Sequence, residues 1–156
     1  MGLDISSKSG LSFSIGYGAF TFMRQEILNM IKPGLGQIHE WATLPFGFQL
    51  TGIQYEWSKD GRKKYDLMFG VTADEFAATC SDLMETFLRR NNFKALWEVL
   101  ILHSDCDGKI TPGQCSRLVK DLDRLDPKLV KIGSDVAKFR ELVREAAKRN
   151  ETLYFH

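Results

Sequence analysis

Residues Leu11–Ile31 read LSFSIGYGAFTFMRQEILNMI, and the hydrophobic period of this stretch changes halfway along it. Before the glycines, apolar and polar residues alternate, which is typical of a strand with one buried face. Beyond them, Phe20, Met23, Ile27 and Ile31 recur at the spacing of one helical face. The stretch therefore predicts a strand followed by an amphipathic helix.

Further strands are predicted on both sides of this stretch. The opening MGLDIS alternates in the same way, and ETLYFH at residues 151–156 reads as a short strand. Residues 48–57 and 63–71 read as two strands that are joined at Asp60-Gly61, a strong hairpin signal. Together these segments predict a small antiparallel sheet.

The second half of the chain reads as mainly helical. Thr72 and Ser134 have the character of helix N-caps, and Thr111 forms a capping-box pattern with Gln114. Residues 37–47 read as irregular. We therefore expect a single domain over residues 1–156 of the α+β class, with the small sheet packed on a layer of about five helices.

Composition excludes several classes of function. The chain has 156 residues and a formal net charge of +1, which argues against a partner that is polymeric nucleic acid. No apolar run approaches the roughly 20 residues of a membrane span, so we expect no membrane partner. Three cysteines without a C-x-x-C pair suit a reducing compartment, and we expect a cytoplasmic protein.

The most informative segment for function is LILHSDCDGKITPGQC at residues 100–115. His103, Ser104, Asp105 and Asp107 follow directly on an apolar helix, and buried polar groups need partners from the chain or from a ligand. We therefore treat these four residues as candidate ligand-binding residues. The alternative is a structural turn, because aspartates accept main-chain N–H groups and glycine supplies a positive φ.

The same segment also resembles a calcium-binding loop of the EF-hand type. With Gly108 at the sixth position, Asp105 and Asp107 fall at the third and fifth, where oxygen ligands are usual. They are the candidate metal ligands, and calcium is the one possible cofactor. His103 at the first position and Gln114 at the twelfth depart from the motif, since neither supplies a carboxylate.

A second candidate site lies in the strand-to-helix stretch. Gly16-Tyr17-Gly18 would bring main-chain N–H groups to a helix N-terminus, and Arg24 could complete a clamp on a phosphate. The alternative is a tight turn with an ordinary surface arginine. An aromatic residue such as Trp57 could stack on a base. If Tyr17 or Arg24 lies within reach of His103, the two candidate sites are one.

Three stretches together resemble a group of small bacterial and phage proteins of no known activity. They are the opening MGLDI, the central HSDCDGKITPGQC and the ending NETLYFH. Members of the group carry an acidic residue after the loop glycine, where this chain has Lys109, and glutamate near the following helix start, where it has Gln114. Both differences make the loop less anionic and favour a negatively charged ligand.

These observations lead us to expect a non-catalytic protein that binds a small nucleotide-like ligand. If the gene belongs to a phage, the ligand could be a nucleotide signal of host immunity that the protein sequesters. The alternatives are a calcium-binding protein with a degenerate EF-hand-like loop and a protein-binding inhibitor module that uses residues 41–48. An enzyme is less favoured, because no nucleophile, base and oxyanion donor occur together. A thiolate at Cys115 and a buried structural thiol both remain open.

Overall fold

The computed structural model describes residues 2–43, 73–104 and 107–156, and its elements confirm the predicted α+β class. The sheet consists of β1 (Gly2–Ser6), β2 (Ser12–Gly16), β3 (Gly108–Ile110) and β4 (Leu153–Phe155). The strand order is β2-β1-β4-β3, and each neighbouring pair is antiparallel. The predicted hairpin at 48–57 and 63–71 lies outside the described residues.

Six helices are described in these ranges. They are α1 (Tyr17–Ile31), α2 (Leu35–Thr43), α3 (Ala73–Arg90), α4 (Leu96–Ile101), α5 (Pro112–Asp123) and α6 (Asp135–Arg149). Five are α-helices, and α4 is a π-helix. None of the six has both the length and the apolar character that a membrane-spanning helix requires.

The sheet buries one face against the helices. In β1, Leu3 and Ile5 are fully buried while Asp4 between them is exposed, as the alternating sequence predicts. Leu3 pairs with Ile15 of β2, and Ile5 pairs with Phe13 on the same strand. The period-two pattern of the N-terminal strands therefore fixes both their register and the face that contacts the core.

Aromatic rings join the sheet to α1 and α6. The ring of Phe20 on α1 lies 6.0 Å from that of Phe155 on β4 and 6.3 Å from that of Phe139 on α6. Phe139 also contacts Phe13 of β2, with 6.1 Å between the ring centroids. Tilted and edge-on contacts at these distances are the favourable geometry for aromatic pairs. The core therefore lies between the inner face of the sheet and the helical layer.

Two helices begin where their capping residues predict. Thr111 accepts from the main-chain N–H of Gln114, and the Gln114 side chain accepts from the main-chain N–H of Thr111. Ser134 accepts from the N–H of Ala137 at the start of α6. Because such caps are local, the sequence alone was sufficient to place these two helix starts.

The irregular conformation predicted for residues 37–47 is wrong as far as residue 43, since α2 occupies Leu35–Thr43. Gly36 lies in the first turn of this helix. In the structure, a Cβ at Gly36 would lie 2.8 Å from the carbonyl oxygen of Gln25 and 2.7 Å from Nδ2 of Asn29. Gly36 is therefore the residue that lets α2 pack closely on α1.

Residues 108–110 form strand β3, although the sequence suggested only a loop there. Gly108 pairs with Phe155, and Ile110 pairs with Leu153, so the C-terminal strand provides the partner. Ile110 is fully buried in this position. No local pattern could indicate this pairing, because the two strands are far apart in the sequence.

The start of α4 is held by a residue from α5. The Asp121 side chain accepts from the main-chain N–H of Leu96 at 2.8 Å, although the two residues are 25 positions apart. Burial raises the pKa of this carboxyl group, and the bonds from Leu96 and Ala95 and the charge of Arg124 oppose the rise. Asp121 thus serves as an N-cap supplied by a neighbouring helix.

Candidate functional site

The candidate site lies where the π-helix α4 ends. Most residues of α4 are buried, from Leu96 to Ile101, whereas the next residue, Leu102, exposes 58% of its surface. Turns of π-helix are rare and occur often at functional sites. The polar segment predicted to bind a ligand therefore begins at the point where a buried helix of unusual geometry reaches the surface.

The imidazole of His103 is fixed by three contacts. Its Nδ1 lies 2.7 Å from the main-chain oxygen of Ser104, and its ring centroid lies 4.0 Å from that of Phe155. A Cβ at Gly108 would lie 3.0 Å from Cε1 of the ring, so any other residue there would require the ring to move by a few tenths of an ångström. Gly108 also has a φ of 116°, which favours glycine.

The contact with Ser104 decides which nitrogen of His103 carries the proton. A carbonyl oxygen can only accept a hydrogen bond, so Nδ1 must be the donor. In the neutral ring, Nε2 then has a lone pair and acts as a hydrogen-bond acceptor. The residue as a whole is partly exposed, and the edge of the ring that carries Nε2 lies beside Gly108, where a Cβ would be 3.2 Å from Nε2.

Arg24 connects helix α1 to the loop. Only 4% of its surface is exposed, and its Nη2 donates to the main-chain oxygen of His103 at 2.5 Å. Its guanidinium carbon also lies 4.2 Å from the centre of the Phe20 ring. Arg24 is therefore not an ordinary surface arginine; it is a buried side chain that connects helix α1 to the main chain at the start of the loop.

The glycine turn has a simpler structure than the sequence suggested. Strand β2 ends at Gly16 and helix α1 begins at Tyr17, without an intervening loop. A Cβ at Gly16 or Gly18 would contact nothing within 4 Å, and neither residue has a positive φ. Tyr17 packs against the hydrophobic core. The structure thus leaves open space above both glycines, but it joins only Arg24 of this stretch to the loop.

The remaining predicted site residues have different surroundings. Ser104 and Asp107 are both exposed, and both lie between the end of α4 and the start of β3. Asp107 directly precedes Gly108, whose backbone contacts the His103 ring. Asp105 and Trp57 lie outside the described residues. The described part of the site is therefore one fixed imidazole just after α4 and one exposed carboxylate just before β3.

The residue at the twelfth position of the calcium alignment has another contact. The side-chain oxygen of Gln114 accepts from the main-chain N–H of Thr111 at 2.9 Å, which completes the cap of α5. Within residues 2–43, 73–104 and 107–156, no three His, Cys, Asp or Glu side chains form a group that could hold a metal ion. The positive φ of Gly108 does match the sixth position of the calcium motif.

Cys115 has the properties of a structural thiol. It is fully buried in the first turn of α5. Burial raises the pKa of this thiol to about 11 from its ordinary value of 9.0. The thiol therefore stays protonated at neutral pH, which favours the structural interpretation over a nucleophilic thiolate.

Neither a known protein family nor a curated protein nor a solved structure matches this chain. The chemistry of His103 and its surroundings is therefore the basis on which a function can be assigned.

Proposed function

We propose that this protein binds a small nucleotide-like ligand at the loop after α4 and does not transform it. The observation that carries this proposal is the fixed imidazole of His103, held by Ser104 and Phe155 with Nε2 as an acceptor. A side chain that is already held in one orientation loses little further conformational entropy when a ligand binds. This pre-organisation favours binding.

The chemistry of the loop favours a ligand with hydrogen-bond donors. Nε2 of His103 and the carboxylate of Asp107 both accept, so they suit the hydroxyl groups of a ribose or the amino group of a base. Lys109 is exposed next to this turn and provides a positive charge for a phosphate. Arg24 acts as a positioning residue, because it holds the carbonyl of His103 from inside the protein.

A binding role accounts for the site better than catalysis does. Cys115, at the start of α5, is buried, and burial raises the pKa of its thiol. A fixed acceptor alone can select a ligand, but an acyl or phosphoryl transfer would also require a nucleophile and groups that stabilise developing charge. If the gene belongs to a phage, one concrete role is the sequestration of a nucleotide signal of host immunity.

Isothermal titration calorimetry with cyclic oligonucleotides and ADP-ribose tests this proposal. We expect binding by the natural sequence, a loss of at least tenfold in affinity in His103→Ala, and unchanged affinity in His156→Ala. His156 is a suitable control because it is exposed and its ring bonds to Ser6. An absence of heat with every ligand, at concentrations that detect micromolar binding, would contradict the proposal.

Calcium binding is a second candidate, which the left-handed conformation of Gly108 favours. The capping contact of Gln114 works against it, because a bidentate ligand is missing at that position. Thermal unfolding in millimolar calcium distinguishes the two. A rise in Tm that disappears in Asp105→Ala would support a calcium site, and an unchanged Tm would exclude one.

A further inference from the structure

A cleft of about 480 Å³ lies between α1 and α2, on a part of the molecule that the loop site does not use. Its volume is within the range of small-molecule sites. Four of its residues follow one face of α1, because they are spaced by three and four positions. The side chains that line the cleft include Phe22, Gln25, Glu26 and Asn29 from α1 and Gln37 and Glu40 from α2.

The cleft combines an aromatic surface with oriented amide groups. Phe22 exposes 60% of its surface at this cleft, which leaves a ring face available for stacking. Oδ1 of Asn29 accepts from the N–H of Gly36 at 2.9 Å, so the NH₂ group of Asn29 remains as a donor. Gln37 donates to Glu40 at 2.8 Å, so the side-chain oxygen of Gln37 remains as an acceptor.

The charge of the cleft limits which ligands it can hold. Among the described residues that line it, Glu26 and Glu40 are acidic and none is basic. A phosphorylated or carboxylated ligand would therefore be repelled. A ligand with hydroxyl groups fits better, since each hydroxyl both donates and accepts and can bond to amides and carboxylates alike.

We propose that this cleft binds a saccharide ring without negative charge, with the ring stacked on Phe22 and its hydroxyl groups bonded to the amides and carboxylates. A positively charged amino sugar binds more tightly than a neutral sugar. The carboxylate of Glu26 attracts its ammonium group, and so does the ring face of Phe22.

This site is separate from the one at His103. On α1, Arg24 lies on the buried side that faces the loop, whereas Phe22, Gln25, Glu26 and Asn29 form the opposite face. Each site can therefore be removed without the other. A failure of saccharide binding leaves the nucleotide proposal intact, and the reverse also holds.

Chemical-shift titration of the full-length ¹⁵N-labelled protein with glucose, glucosamine and glucose 6-phosphate tests the proposal. We expect the main-chain amides of Phe22, Asn29, Gly34 and Gln37 to shift, with Kd values in the millimolar range. Glucosamine should bind about two- to fivefold more tightly than glucose, as expected for one exposed charge pair. Glucose 6-phosphate should bind more weakly than either.

Three variants make the test specific. Phe22→Ala should weaken every sugar at least threefold, and Glu26→Gln should reduce the advantage of glucosamine while glucose still binds. Ile132→Ala, a change at a fully exposed apolar residue of the α5–α6 connection, should alter nothing. Shifts that are absent with all three sugars, equal affinities for the three, or affinities that persist in Phe22→Ala would overturn the proposal.

Discussion

The guanidinium of Arg24 donates to the main-chain carbonyl of His103, 79 positions further along the chain, at 2.5 Å. This bond fixes the start of the polar loop on helix α1. It also places a buried positive charge beside Phe20, whose ring it covers. The loop is therefore supported from inside the protein, and its outer side chains need not hold it in place.

We expect Arg24→Ala to lower the free energy of unfolding by about 2–4 kcal/mol, because the His103 carbonyl loses its donor and the packing on Phe20 is lost. Arg24→Lys should cost less, since lysine keeps a charge and a donor but loses the planar contact. Urea unfolding measures both. Lys128→Ala, at an exposed site, is the control and should change stability by less than about 0.5 kcal/mol. A cost for Arg24→Ala no larger than that of the control would contradict this account of Arg24.

The contact between Gly108 and His103 predicts an energetic coupling. Gly108→Ala introduces both a strained φ and a clash with the imidazole, so we expect a cost of about 2–4 kcal/mol. Gly133→Ala is the matched control: its φ is 76°, but a Cβ there would contact nothing within 4 Å. When His103 is also replaced by alanine, the part of the Gly108→Ala destabilisation that comes from the clash with the imidazole should disappear. Equal costs in both backgrounds, measured by urea unfolding, would show that the ring is not packed on this backbone.

Asp121 predicts a pH dependence of stability. Burial raises the pKa of its carboxyl group above the ordinary value of 3.8. The folded state therefore favours the protonated carboxyl group. The contribution of this group to the free energy of unfolding is fully present below pH 3.8 and is lost as pH rises through the folded-state pKa. Relative to Asp121→Asn, which does not titrate, the natural protein should lose stability on going from acidic pH to neutrality. A difference that does not vary with pH, or that increases, would contradict this assignment.

Cys115 predicts a loss of stability at alkaline pH. Burial raises the pKa of its thiol to about 11 from 9.0. The contribution of the protonated thiol to the free energy of unfolding is therefore complete below pH 9 and is lost as pH rises through 11. A shift of this size corresponds to about 2–3 kcal/mol. Urea unfolding measures the free energy of unfolding of the natural protein and of Cys115→Ala between neutral and strongly alkaline pH. The free energy of the natural protein, relative to that of Cys115→Ala, should fall in this window. A constant difference would indicate that the thiol is accessible to water.

Features with local causes could be predicted from the sequence. The buried face of α6, including Val136, Phe139 and Val143, follows from apolar spacing alone. The helix starts at Thr111 and Ser134 follow from side-chain caps within three residues of each cap. At each of the two caps the partner lies within one helical turn, so the sequence itself contains the whole capping interaction.

Features that depend on distant partners could not be predicted. Strand β3 is paired with β4, and α2 closely approaches Asn29 of α1 at Gly36. The same holds for the site. His103 was identified as a candidate, but the ring contact with Phe155 and the bond from Arg24 come from other elements. Phe22 was not identified, since an exposed aromatic residue on a helix has no distinctive sequence pattern.

The most direct test of the account is the two-bond ¹H–¹⁵N spectrum of the His103 imidazole during titration with cyclic oligonucleotides and ADP-ribose. In the neutral ring of the free protein, Nδ1 should be protonated and Nε2 should not. The Nε2 resonance should then move as ligand is added, while the signals of His156 stay in place. Protonation at Nε2 in the free protein, or a His103 ring whose signals remain unchanged with every ligand, would contradict the proposed binding site.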